Sequence, residues 1–236
     1  MVNLIMAKKI IKIASKEKYL ELPKPSKFFI PDWYKKSERF VGGVQLLKPS
    51  GSFGQKTIKT CAPFLDSLTA GYCIELWQDL QVIQETNGPM LYWAHTPEVA
   101  SLRSIELHQE MPTPEGYFDA AFAWASPFYI KTPPGYSILV THPLNRLDLP
   151  FITLSGIVDS DKGMSDGNIP FFINKTFQGI IPKGTPIAQI IPFKRDDWKS
   201  EEDSELIEIA NKNKHDSLSS SIGWYKNKVW QRKRFE

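Results

Sequence analysis

Between about residues 58 and 195, short apolar or alternating runs follow one another with no helical periodicity between them. They are 72-YCIELW-77, 89-PMLYWA-94, 120-AAFAWASPFYI-130, 136-YSILVT-141, 151-FITLSGIV-158, 169-IPFFIN-174 and 187-IAQIIPF-193. Clusters of turn formers separate them, at 87-NGP-89, 132-TPPG-135, 166-DGN-168 and 182-PKGTP-186. A strand turns successive side chains to opposite faces, so alternating runs of this length bury one face of a sheet. Many such strands joined by Gly/Pro turns predict an all-β sandwich or barrel rather than a βαβ sheet.

The two ends read differently. Residues 1–60 form an arm: the alternation in 9-KIIKIA-14 predicts a strand, and the proline-punctuated 23-PKPSKFFIPDWYKK-36 predicts extended chain. The stretch 42-GGVQLLKPSGSFGQ-55 is rich in turn residues. An arm of this kind cannot bury Phe28, Phe29, Trp33 and Tyr34 by itself and must lie over a neighbouring surface, in its own subunit or another. Residues 198–213 predict a helix, with Leu206, Ile207, Ile209 and Ala210 as its apolar stripe and acidic residues at its positive end. A hinge is expected at 217-SLSSS-221, followed by a basic tail carrying Trp224, Tyr225 and Trp230. The organisation expected is therefore an arm (1–60), a β domain (61–195, with an insertion at about 84–128) and a C-terminal helix with tail (196–236).

Bulk properties narrow the function classes. Apolar content of 42% and charged content of 23% are those of a globular chain, and 236 residues suffice for a sizeable core. A net charge of +3 is too weak to argue for nucleic acid or a membrane surface, and neither is expected as a partner. Cys61 and Cys73 cannot form a disulfide framework and lack zinc-ligand spacing, which fits a reducing compartment. The histidines His95, His108, His142 and His215 share no metal-like spacing. The opening MVNLIMAKK lacks the order of charge and apolar run of a signal peptide, and no apolar run is long enough to span a bilayer. The expected location is the cytoplasm, or a particle assembled there.

The residues that bear on chemistry cluster at 156-GIVDSDKGMSDGNIPFFIN-174 and 181-IPKGTPIAQII-191. Asp159 and Asp161 admit two readings: a carboxylate held near a water as a base, or a pair whose side chains shape a turn. In chain order, 69-TAGYCIEL-76, 132-TPPGYSILV-140, 156-GIVDSD-161, 173-IN-174 and 181-IPKGTPIAQ-189 resemble the successive motifs of the trimeric dUTPase and dCTP-deaminase superfamily, over roughly residues 66–195. The resemblance implies a dUTPase-like distorted jelly roll, with sites between the subunits of a homotrimer or larger assembly. It implies Asp159 as the water-orienting residue if the chain is an enzyme. It also makes Asp161, Arg146, Gln189, Gly71 and Tyr72 the candidate ligand-binding positions. Gly184 and Gln189 have structural readings too, as a tight turn and a buried amide, and Gly71 as a close backbone approach.

Where the family's first motif has a metal-holding aspartate this chain has Cys73, a poor ligand for magnesium. Lys162 stands where the sugar-packing aromatic is expected, and 141-THPLNR-146 replaces the phosphate-binding P-R-S-G. The tail 221-SIGWYKNKVWQRKRFE-236 has one glycine and cannot form the family's Gly-rich phosphate cradle. The expectation is a non-catalytic, oligomeric assembly protein without cofactor or metal. A faint likeness of FFIPDWYKK and CAPFLDSLTAGY to phage-encoded proteins points to a virion structural or accessory role. Its partners would be copies of itself, and other proteins through the arm and tail. The alternatives are a dUTP/dCTP pyrophosphatase or deaminase relative using Mg²⁺, and a nucleotide-binding module without turnover.

Overall fold

The computed structural model describes residues 9–43, 55–86, 88–103, 112–119, 121–163, 167–219 and 223–236. Among these residues are fourteen strands: β1 (Lys12–Ser15), β2 (Lys24–Pro25), β3 (Tyr72–Glu75), β4 (Leu80–Glu85), β5 (Gly88–Tyr92), β6 (Ala100–Leu102), β7 (Phe122–Ser126), β8 (Phe128–Lys131), β9 (Tyr136–Thr141), β10 (Phe151–Thr153), β11 (Gly156–Val158), β12 (Gly167–Ile173), β13 (Gly179–Ile181) and β14 (Pro186–Lys194). The α-helices are α1 (Asp32–Lys36), α2 (Ala62–Thr69) and α3 (Glu205–Ser219). The strands pair antiparallel into four sheets, with orders β11-β9-β14-β3-β2, β10-β12-β7-β6, β13-β4-β5 and β1-β8. The fold is all-β with a C-terminal helix.

Alternation explains why these segments are strands. Ile138 and Val140 of β9, Leu80 and Val82 of β4, and Ile169, Phe171 and Ile173 of β12 are buried at every second position. Their shared core draws on all four sheets, from Ile187 and Ile190 of β14 to Phe128 and Ile130 of β8. Trp124 of β7 stacks on Phe171 with ring centroids 3.6 Å apart, and meets Phe151 edge-on at 5.0 Å. Phe122 and Trp124 of the insertion are therefore core residues. The longest ladder, β9 with β14, runs from Gln189 opposite Thr141 to Lys194 opposite Tyr136. It places the end of β14 beside the start of β9.

Several local expectations are corrected. The arm is not extended throughout: after β2, a 3₁₀ turn at Ser26–Phe29 and helix α1 follow, α1 starting directly after Pro31 with Asp32 in its first turn. Its strands pair with the body, β1 with β8 and β2 with β3, and Tyr34 is buried, stacked on Phe64 of α2. Helix α2 has no counterpart in the sequence reading, nor do strands β4, β6 and β13. The C-terminal helix starts at Glu205 rather than residue 198, because the Asp203 carboxylate accepts the Glu205 N–H and caps it there. It runs on to Ser219, through part of the expected hinge, whose last residues lie outside the described ones. Also outside them are 44–54 of the turn-rich stretch, Asn87, 104–111 and Ala120 of the insertion, and 164–166.

Gly71, directly before β3, leaves no room for a side chain. Its φ is +64°, and a Cβ there would lie 1.9 Å from the Ile190 carbonyl oxygen. That oxygen belongs to β14, so no flexible side chain can yield. Gly71→Ala is expected to destabilise the protein by about 3 kcal/mol or more, read as a lower urea midpoint at unchanged slope. A change below about 0.5 kcal/mol would contradict this packing.

Candidate functional site

The acid loop follows β11 at one edge of the five-stranded sheet, and it closes on itself through a short polar network. Ser160 points inward, fully buried, and its hydroxyl meets Thr132 Oγ1 at 2.8 Å. That inward turn splits its two neighbours. The Asp161 side chain is 8% exposed, and its Oδ2 accepts the Gly135 N–H at 3.0 Å. The Asp159 side chain is 64% exposed, and its Oδ1 accepts from Ser137 Oγ at 2.7 Å.

Both carboxylates face Arg195, the residue directly after β14. Its N–H donates to the Gly135 carbonyl at 2.9 Å, which extends the β9–β14 ladder by one bond. Its guanidinium then forks onto Asp161, Nη1 to Oδ1 at 3.0 Å and Nη2 to Oδ2, and Nη1 also reaches Ser137 Oγ at 3.0 Å and Asp159 Oδ1 at 3.3 Å. The Arg195 guanidinium, helped by the Gly135 N–H, holds the Asp161 carboxyl well below the usual aspartate range. Arg195 and Ser137 were not singled out in the sequence. The signal was present in the basic residue that ends the apolar run 187-IAQIIPFKR-195, but its partners became visible only once β9 lay beside β14.

The other candidate residues lie elsewhere. Arg146, in the turn between β9 and β10, forms a bidentate pair with Asp148 (Nε to Oδ1 and Nη2 to Oδ2, both 2.9 Å) and donates from Nη1 to the Phe29 carbonyl at 3.3 Å. Trp33 Nε1 reaches the same Asp148 at 3.4 Å, so the pair holds the N-terminal arm. His142 accepts the Thr153 N–H at Nδ1 (3.2 Å) and donates from Nε2 to the Arg146 carbonyl (3.0 Å), an arrangement that requires the neutral ring. Burial pushes its pKa down in the same sense.

Gln189 is 1% exposed, and its amide joins three segments. Its Oε1 accepts the Leu144 N–H at 2.8 Å, and its Nε2 donates to the carbonyls of Ser67 and Ala70 at 2.9 and 2.6 Å. Gly71 follows Ala70 directly, and Tyr72 then opens β3 opposite Ile190. The Tyr72 hydroxyl donates to the backbone carbonyl of Glu236 at 3.1 Å, and its ring meets Phe235 edge-on. The C-terminal tail therefore lies against α2 and β3 of its own chain. Trp230 Nε1 and Lys233 Nζ hold it to Asp66 at 2.8 and 2.7 Å.

The donors at the positions implied for magnesium do not suit that ion. Cys73 is buried with its thiol on Ser26 Oγ at 3.3 Å, and burial pushes its pKa up to about 12, so it is a neutral sulfur donor. Asp159 and Asp161 already face a guanidinium. No group of three or more His, Cys, Asp or Glu among the described residues could hold a metal, and no helix there is long and apolar enough to cross a membrane. The acid loop thus brings Asp159 and Asp161 together but leaves Arg146, Gln189, Gly71 and Tyr72 in other settings.

Removing the guanidinium should move the Asp161 titration. In Arg195→Ala, carboxyl ¹³C shifts are expected to place its pKa higher, closer to ordinary aspartate. Because the folded value is depressed, the wild-type pair stabilises fully above the unfolded aspartate pKa of about 3.9 and loses that contribution as pH falls further. The wild-type advantage over Arg195→Ala in urea midpoint should therefore shrink as pH drops below about 4. A gap that widens on acidification would contradict the pairing.

The sequence matches no protein-family model, and no curated protein matches it.

Proposed function

We propose that this chain is a non-catalytic, self-associating assembly protein on a dUTPase-like β scaffold, serving as a phage virion structural or accessory component. The observation that carries the reading is α3. Every residue from 205 to 215 is exposed, including Leu206, Ile207 and Ile209, which are 56%, 64% and 53% accessible. A helix of fifteen residues is marginal in water without a packed apolar face. The occupant that fits it is a second copy of the chain. Glu205 and Glu208 sit in its first turn with Lys212 and Lys214 farther along, so a neighbouring copy of the helix offers charges of both signs to pair with. The acid loop supports the non-catalytic half of the reading. A carboxylate that activates water must be available as a base, whereas Asp161 is locked to Arg195 and Asp159 shares that guanidinium and the Ser137 hydroxyl.

Light scattering of the full chain at micromolar concentration should give a trimer or larger species. Leu206→Asp combined with Ile209→Asp should shift it to monomer without changing the far-ultraviolet signature of the β body. A wild-type monomer would sink the assembly reading. Separately, incubation with each dNTP and Mg²⁺ should release no pyrophosphate and no deaminated product. Turnover that Asp159→Asn abolishes would establish an enzyme instead.

A further inference from the structure

A cleft of about 670 Å³ opens where the arm, the start of α2 and the C-terminal tail meet. None of the acid-loop residues lines it. Four cationic side chains line it, Arg39, Lys56, Lys59 and Lys226. Lys59 is engaged, donating to the Tyr34 carbonyl at 2.5 Å with its ammonium 4.4 Å from the Tyr34 ring centre. The side chains of Arg39, Lys56 and Lys226 have no partner among the described residues. The one acid in the lining, Asp66, is taken up by Trp230 Nε1 and Lys233. The cleft therefore carries positive charge that no described residue pairs with.

Flat side chains stand next to that charge. Phe40 comes from the arm and Trp224, Tyr225 and Trp230 from the tail, with Pro63 and Leu65 of α2 completing an apolar wall. The first residues of α2 also border the space, so the positive end of the helix faces it. Cations match the oxygens of an anion, and arginine suits the paired oxygens of a phosphate. Aromatic faces match an unsaturated ring, and the volume is that of a small-molecule site. A polymer would need cations continuing along a track beyond the cleft, and the chain's net charge of +3 leaves little for one.

We propose that this cleft binds a small phosphorylated aromatic molecule, its ring against the indoles of the tail and its phosphate among Arg39, Lys56 and Lys226. The proposed binding groups include none of the α3 apolar residues on which the assembly reading rests, although Ser217 of α3 borders the cleft.

The test is calorimetric titration of the full chain with 1-naphthyl phosphate, alongside 1-naphthol, inorganic phosphate and a single-stranded oligonucleotide. The expected result is one saturable site per chain for the naphthyl phosphate, tighter by about tenfold or more than naphthol or phosphate alone. Lys56→Ala with Lys226→Ala should weaken it by about tenfold while leaving the thermal midpoint unchanged, because neither side chain holds the fold together. Trp224→Ala should weaken naphthyl phosphate but not inorganic phosphate. Four results would overturn the proposal: no saturable binding of the naphthyl phosphate, equal affinity for naphthol, unaltered affinity in the lysine variant, or tighter binding of the oligonucleotide.

Discussion

One hydroxyl joins the two larger sheets through the middle of an apolar core. Thr153 Oγ1 of β10 accepts the Trp124 indole N–H at 3.1 Å and donates to the Ile187 carbonyl of β14 at 2.6 Å. Each of these groups is buried, and a buried donor or acceptor left unpaired is costly, so the three positions specify one another. Around this link Trp124, Phe171 and Phe151 pack as a ring cluster, and Ile187 lies within the buried stretch that opens β14. The register of β14 then decides where everything downstream falls. Gln189 arrives under the 141–146 turn, Ile190 meets Gly71, and Arg195 comes out beside the acid loop.

The two best-placed arginines serve as clamps within the chain. Arg195 closes the loop after β11, and Arg146 with Asp148 fastens the arm. Arg146 stands where the resemblance to a nucleotide hydrolase implies charge for a phosphate, and both arginines are committed to aspartates instead. Partly exposed ion pairs contribute little to stability by themselves, so what these two confer is position. The positive charge that remains uncommitted among the described residues includes the group beside α2, where aromatic side chains of the tail accompany it.

The β character of the middle of the chain was readable because a strand writes its burial into the sequence at period two. The apolar-rich runs of β9 and β12 were read as strands although both also bury consecutive residues, whereas β4, whose burial alternates at its start, was not. The short β6 and β13, three residues each, carry too few positions to show a period. Helix α2 escaped because eight residues hold little more than two helical turns, too few for a helical period to stand out among neighbouring apolar runs. The shift in α3 has a different origin: the acidic residues before it resembled a first turn, whereas Asp203 lies outside and caps it. At the candidate site, the DSD tripeptide announced a turn and paired carboxylates. It did not announce that Ser160 points inward and separates them.

The sequence by itself determined the period of the strands, the positions of the turns and the kinds of charge available, since these follow from local sterics and from apolar spacing. Which charges meet was decided only by the tertiary structure. Asp161 and Arg195 are 34 positions apart, and Asp66 and Lys233 are 167 apart. A contact across such a separation exists only after the strands have chosen their neighbours, a choice made by the packing of the whole core rather than by the residues that then touch.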